Sequence, residues 1–535
     1  MLYKFYHDLY NNFDVYEQNK LVPRAYFIPF SSRESLEATT YLNERSKSDC
    51  VTMLSGKWDF KLFDRISKMP KEIDTYFYNF SSVTVPGCWQ FQGYEKPFYI
   101  NSRYMFDCHP PFVPDDEGSY GATVKIDNKN LSSPITIYNS VGVYRKQFNL
   151  THKKRHVITF LGVSSALQLY CNGRYVGYSE GSHNTAEFDI TPFVIDGPNE
   201  IVCLVYKWCN GTYLECQDMF RNNGIFRDVY ITNYDANYIW DYNVKTYVLD
   251  ETSRMLRVDI NAIMDKGVKP IYELYYGKKL IAKGEGETCC DFTIEKPFLW
   301  SAETPYLYKL IISLKKGPQT LFCVRQEVGF KDISIKRSVF YFNDKPIKLK
   351  GVNHHDTNPR TGYTMSVQDM QKDVELMKLM NVNAVRTSHY PPDPLFIKMA
   401  NYEGLYIIDE ADIETHGTYG KKFSQPNLIS NNSRWQSHFW DRVYRMYMRD
   451  RNNPSITMWS LGNESGGWKN QDDCYFKLKN LDPATPIHYE GVSRNVRWCY
   501  DIVSEMYTST EKMEKYARHS LPGKYYKAPY FLCEY

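Results

Sequence analysis

The hydrophobic period of this chain changes once, near Asp332, and that change limits what the chain can fold into. Before it, over residues 51–233 and again over 234–332, apolar side chains alternate with polar ones in short runs separated by turn residues. That is the mark of half-buried strands. After it, strand-like runs alternate with segments of helical spacing, the pattern of a parallel α/β unit. With 535 residues the chain is also too long for one core, and about three or four domains are expected.

Residues 1–50 are polar and irregular and read as an N-terminal arm. In 51–233 the runs 56–62, 143–148 and 200–206, the last preceded by Gly197-Pro198-Asn199, are typical of many short strands. They predict a jelly-roll β-sandwich. In 234–332 the alternating runs 242–248, 255–263, 307–314 and 321–328 fit a smaller immunoglobulin-like sandwich. From 333 to 535 strand candidates lie at 347–352, 384–388, 405–409, 455–461, 486–489, 501–506 and 530–534. Val367, Met370, Val374, Met377 and Met380 recur at helical spacing behind Ser366, which with Asp369 makes an N-cap and its box partner. Further amphipathic segments run over 435–451 and 510–519, and the connection between the fifth and sixth strands carries no clear helix. The expected architecture is a (β/α)8 barrel lacking its last strand, since such a barrel needs eight.

Composition excludes several classes of function. A net charge of +3 gives no electrostatic reason to expect nucleic acid or an anionic membrane as partner. No apolar stretch approaches the ~20 residues that cross a bilayer, and residues 1–18 lack the basic start and apolar core of a signal peptide. The 13 cysteines are scattered and free of C-x-x-C spacing. Cys209 and Cys216 lie near one another, but no histidine pair completes a metal site, so reduced thiols in a cytoplasmic protein are expected. The 46 tyrosines suit sugar rings, yet ordinary packing explains such a count equally well.

In a parallel barrel the functional groups sit at the C-terminal ends of the strands. Here those places hold His354, His355 and Asp356; Arg386 and His389; Asp409, Glu410, Asp412, Glu414 and His416; Asn463 and Glu464; Glu505 and Tyr507; and Glu534. Any one of them could be structural. Polar groups at six strand ends, with apolar strands behind them, point to chemistry. Two carboxylates across a barrel mouth, Glu464 and Glu534, suit glycoside hydrolysis: one protonates the leaving oxygen, and the other attacks the anomeric carbon or activates water. Glu414-Thr-His416 places two potential ligands on one side of an extended segment, a donor set for Mg²⁺ or Mn²⁺.

Trp459-Ser-Leu-Gly-Asn-Glu-Ser-Gly466 and Leu532-Cys-Glu-Tyr535 resemble the acid/base and nucleophile motifs of glycoside hydrolase family 2, and within it the large β-galactosidases of the lactose-operon type. The segments Val85-Pro-Gly-Cys-Trp-Gln90, Pro110-Pro-Phe-Val-Pro114, Tyr213-Leu-Glu-Cys-Gln-Asp-Met219, Gly224-Ile-Phe-Arg-Asp-Val229, Arg386-Thr-Ser-His-Tyr-Pro391 and Asp409-Glu-Ala-Asp-Ile-Glu-Thr-His-Gly417 agree, in order, from about residue 20 to the last residue. The resemblance implies a jelly-roll, an immunoglobulin-like domain and a (β/α)8 barrel. It also implies a retaining double displacement on terminal β-D-galactose, as in lactose catabolism. In that reading Glu464 is proton donor and then base, Glu534 the nucleophile, and Tyr507 its hydrogen-bond donor. His355 and His389 bind the distorted sugar, Asn463 holds the 2-hydroxyl, and Asn101 and Asp218 reach the substrate from the first domain. Glu414, His416 and Glu464 match Mg²⁺ ligands. Asp218 also matches a Na⁺ ligand whose partners would lie beyond residue 535, so that site is expected to be incomplete. A homo-oligomer is implied for the full-length form.

His354 stands where the family usually has arginine, Asp356 where it has glutamate, Phe220 where tryptophan is common, and Gly467-Trp468 replaces the usual pair after the acid/base motif. Family members also run hundreds of residues further. Strand 7 is therefore expected to present an unpaired edge with Tyr530, Phe531 and Leu532, and the 535-residue chain alone to be weakly active or inactive. The alternatives are a β-glucuronidase or β-mannosidase of the same family, or a truncated, non-catalytic sugar-binding remnant.

Overall fold

A computed structural model describes every residue except 7, 121–123, 127–128, 132–134, 152–153, 419–427, 467–468, 492–499 and 519–527. The Gly467-Trp468 departure, most of the connection between the fifth and sixth barrel strands, and the end of the 510–519 segment therefore lie outside the described residues.

The first alternating stretch forms two antiparallel sheets. In the seven-stranded one, Val141–Leu150 lies between Gly197–Tyr206 and Gly56–Phe63. A four-stranded sheet of Val51–Met53, Val229–Tyr234, Arg155–Phe160 and Ala186–Asp189 faces it. Alternation along these strands sends Trp58, Phe60, Phe160, Phe188, Ile201 and Val205 into a common core. The second stretch gives a three-stranded sheet (Tyr238–Val248, Ser253–Ile263, Cys289–Glu295) over a four-stranded one (Lys279–Glu285, Lys269–Tyr276, Tyr308–Lys316, Gln319–Val328). Leu256, Tyr272, Leu310 and Val324 are buried between them.

In the third stretch the parallel strands are β1 Gly351–Asn353, β2 Ala384–Arg386, β3 Tyr406–Glu410, β4 Ile456–Ser460 and β5 Ile487–His488, hydrogen-bonded in that order, and β6 Val503–Met506 paired with β7 Tyr530–Glu534. β2, β3 and β4 are buried at every residue, as expected of strands covered on both faces. The helices are α1 Val367–Leu379, α2 Pro394–Glu403, α3 Gln436–Asp450, α4 Lys469–Leu481 and α5 Thr510–Ala517. α1 opens with the expected Ser366/Asp369 capping box.

β1 starts four residues later than the apolar pattern predicts. Ile347 and Leu349 instead pack with Trp300, Phe340 and Phe342 in a cluster under the barrel floor, so their apolar character serves a plug and not a strand. β7 pairs with β6 on one side. Toward β1 it is reached by side chains: Asn353 Nδ2 donates to Cys533 O at 2.9 Å, and Tyr535 Oη to Gly351 O at 3.2 Å. Tyr530, Phe531 and Leu532 are half-buried, Tyr530 against Tyr516 and Phe531 against His488.

The first 50 residues bury Tyr3, Phe5, Tyr10, Phe13, Phe27, Phe30 and Leu36, so the polar arm is firmly packed. Glu44 on this segment accepts from Arg325 of the second sandwich at 2.9 Å and from Lys398 on α2, which ties three parts of the molecule at one carboxylate.

Candidate active site

The barrel mouth holds one network of hydrogen bonds and ion pairs, and Arg386 at the end of β2 is its hub. Its Nε and Nη2 donate to the two oxygens of Glu410 at 2.6 and 3.0 Å. Nη2 also donates to Asn463 Oδ1 at 2.8 Å, and Nη1 to Glu534 Oε1 at 2.9 Å. Glu410 is fully buried, and burial alone would raise its pKa; the Arg386 guanidinium and His389 hold it well below the carboxylate range. A buried Arg–carboxylate pair of this geometry fixes the guanidinium, so Glu534 meets a rigid donor.

Tyr507 Oη donates to the other oxygen of Glu534 at 2.6 Å. That bond, more than burial, raises the phenol pKa. Tyr507 has a left-handed backbone, φ 51°, a conformation that non-glycine residues hold mainly where the surroundings impose it.

Asn463 Nδ2 donates to Glu414 Oε2 at 2.8 Å, and His416 Nδ1 lies 2.8 Å from Glu464 Oε2. The chain Glu464–His416–Glu414–Asn463–Arg386–Glu534 thus joins the two carboxylates singled out from sequence. His389 follows a cis Ser388–His389 peptide, hydrogen-bonds Glu410 at 2.8 Å and reaches within 4.0 Å of Glu534. His355 stands edge-on to His389, with 5.2 Å between rings, and its Nδ1 is 3.3 Å from Tyr390 Oη. Burial and the charge of His389 push its pKa down to about 3, leaving a neutral ring.

Glu414, His416 and Glu464 bring one ligand atom each within 4.8 Å of one another. Glu414 is buried, burial raises its pKa, and its Oε1 has no hydrogen-bond partner among the described residues. Burial opposes charge on His416, but the Glu414 and Glu464 carboxylates, 3.8 and 2.8 Å from its Nδ1, carry its pKa up to about 10. An orphaned carboxylate oxygen and a ring held cationic by two carboxylates are what a divalent-cation site looks like when a proton stands in for the ion. The donor set fits Mg²⁺ or Mn²⁺.

Asp218 and Asn101 stand outside the hydrogen-bonded network. Asp218 is exposed and accepts from Tyr99 Oη. It precedes Met219–Arg221, which pairs with Phe98–Ile100, and Asn101, also exposed, follows that second strand. Hydrogen bonds of the described residues do not join either to the carboxylate network. Of the departures, Asp356 pairs with Arg227 of the first sandwich at 3.0 Å, and His354 stacks on Phe396 with Nε2 2.9 Å from Asp373.

Sequence reasoning missed how far the first sandwich builds this site. Glu414 N donates to Leu214 O at 2.7 Å, Cys216 N to Glu414 O at 3.0 Å, and Asn463 N to Ile413 O at 2.8 Å. The segment carrying Glu414 is thereby bridged on one side to Glu215 of the jelly-roll and on the other to Asn463 of the loop that carries Glu464. Asp412 accepts from Gln217 Nε2 at 2.9 Å and contacts His183 Nδ1 at 3.1 Å, and Arg442 on α3 donates to its carbonyl at 2.6 Å. The motif around Glu215 signals a role, but only folding reveals its partner.

Family models match along the chain: "Glycosyl hydrolases family 2, sugar binding domain" over 51–137 and 132–235, "Glycosyl hydrolases family 2" over 225–331, and "Glycosyl hydrolases family 2, TIM barrel domain" over 333–535. The chain is 35% identical over 540 residues to a β-galactosidase of Staphylococcus xylosus, covering 98% of this chain and 51% of that protein. It is 34% identical over 551 residues to one of Actinobacillus pleuropneumoniae, covering 97% and 51%. It thus spans about half the length of the curated relatives it matches. Among solved structures, a β-D-glucuronidase of Dictyoglomus thermophilum superposes with TM-score 0.70 at 20% identity, covering 91% of this chain and 83% of that one. A β-glycosidase of Bacteroides vulgatus gives 0.68 at 22%, covering 90% and 58%. At these identities the structural likeness speaks to the fold.

Proposed function

The chain belongs to glycosyl hydrolase family 2, and on that premise we propose that it carries the catalytic pair of a retaining β-galactosidase. The observation that supports this best is the single network joining Glu464 and Glu534 across the barrel mouth. Galactoside is favoured over glucuronide because the β-galactosidase relatives match at 34–35% identity over nearly the whole chain.

Glu534 is the nucleophile. Two donors, Arg386 and Tyr507, hold and aim its carboxylate, and its attack on the anomeric carbon forms a glycosyl-enzyme ester. Glu464 gives its proton to the departing oxygen and then takes one from the water that cleaves the ester. Neutral His355, with His389 beside it, offers hydrogen-bonding nitrogens at the sugar's flank. Asn463, between Glu414 and Arg386, presents an amide to the 2-hydroxyl, and Asn101 and Asp218 extend the pocket from the first domain.

Glu414, His416 and Glu464 would hold Mg²⁺ or Mn²⁺, which supplies positive charge beside the acid/base and tunes its acidity. Asp218 would serve Na⁺ only together with ligands from elsewhere. The substrate class is a small β-galactoside such as lactose.

A panel of aryl β-galactoside, β-glucuronide and β-mannoside tests the reading. Turnover of the galactoside alone is expected, and glucuronide preference would overturn the assignment. With Glu464→Gln, hydrolysis of galactosides with poor leaving groups should fall about 10²–10⁴-fold, and formation of the ester from a dinitrophenyl galactoside far less.

A further inference from the structure

We propose that the cavity between the immunoglobulin-like sandwich and the barrel floor binds a small organic anion with a flat apolar body. The cavity holds about 320 Å³, within the size range of small-molecule sites, which favour domain interfaces. Its walls include Val244, Val248, Val328, Ile333, Trp459 and Pro483.

Its charged lining residues are Lys245, Lys331 and Arg451 against Asp332 and Asp482, an excess of one positive charge. Lys331 donates to Pro454 O at 2.7 Å and to Ile456 O. An ammonium has three N–H groups, and no carboxylate is within ion-pair distance of it among the described residues. Burial pulls its pKa down to about 7, opposed by the charge of Asp482. Arg451 pairs with Asp241 at 2.7 Å but leaves its buried Nε without a partner among the described residues. Asp482 is engaged by Trp459 Nε1 at 2.9 Å. A buried cation without an anion is costly, and a bound carboxylate relieves that cost. The apolar walls beside the donors of Lys331 and Arg451 suit an anion with a flat apolar body better than a sugar.

The site is separate from the catalytic network. Lys331 grips β4 at Ile456, whereas Glu464 lies beyond the other end of that strand, at least ~13 Å away at the usual rise per residue.

Calorimetry with benzoate and its neutral analogue benzamide tests the proposal on the chain and on two variants, Lys331→Met and Val244→Trp, with thermal unfolding to confirm folding. The expected result is one saturable benzoate site per chain, with benzamide at least about tenfold weaker. Lys331→Met should erase the preference for benzoate, and Val244→Trp should abolish binding of both by filling the space. Absence of saturable benzoate binding, meaning a hydrated cavity only, overturns the proposal, as does equal affinity for the two probes. If either variant fails to fold, the comparison of the two probes on the unaltered chain still decides.

Discussion

At the residue scale, His416 gives the proposed cation site its sharpest test. Its pKa lies near 10 because Glu414 and Glu464 bind its charged form, against burial. A metal ligand must be neutral imidazole, so Mg²⁺ or Mn²⁺ bound here would have to displace a proton at any pH below that value. Folded-state pKa raised above the usual 6.5 means the proton holds on tightly, and metal affinity must climb as pH rises. The expected outcome is that Mn²⁺ affinity, read by electron paramagnetic resonance, increases about tenfold per pH unit between pH 6.5 and 8.5. A flat affinity over that window contradicts the ligand assignment. The carboxylates, histidines and Tyr507 were all legible in the sequence, because polar residues at strand ends stand out against apolar strands. Arg386 was visible as a strand-end residue, but not as the hub: sequence shows that a guanidinium is present and not that it touches Glu410, Asn463 and Glu534 together.

At the element scale, the loop after β4 decides where Asn463 and Glu464 point, and Gly462 sets its course. Gly462 has φ 113°, and an added Cβ would lie 2.5 Å from Ile413 O, the carbonyl to which Asn463 N donates. Gly462→Ala should therefore push the loop off Ile413, with a backbone cost of about 1–3 kcal/mol. Mn²⁺ affinity and kcat are both expected to fall while the far-ultraviolet dichroism is retained; unchanged affinity and kcat would show that the loop is not held this way. The strands of both sandwiches and the capped helix α1 followed from alternation and from Ser366/Asp369. α2 did not stand out, because Leu395, Phe396, Ile397, Met399 and Ala400 are buried together, and a helix apolar nearly all round has little periodicity to read. Strand β1 was misplaced for the related reason that apolar Ile347 and Leu349 serve the floor plug.

At the scale of the whole molecule, the proposed catalytic pair depends on surfaces that no single domain supplies. The first sandwich holds the backbone of Glu414 through Leu214 and Cys216, and Glu534 stands on a strand whose only strand partner among the described residues is β6. Curated relatives are about twice as long as this chain. Produced as these 535 residues alone, the protein is expected to turn over aryl galactosides at least about a hundredfold more slowly than an intact relative, since ~1 Å of misplacement costs that much. Parity with the relative, measured as kcat/KM under the same conditions, contradicts this. The central claim is the identity of the nucleophile, and one measurement tests it directly. The protein as its native cells make it is treated with a dinitrophenyl 2-deoxy-2-fluoro-β-galactoside, digested and analysed by mass spectrometry. The account predicts a fluorogalactosyl ester on Glu534; an ester on any other residue, or none under conditions of full substrate turnover, contradicts it.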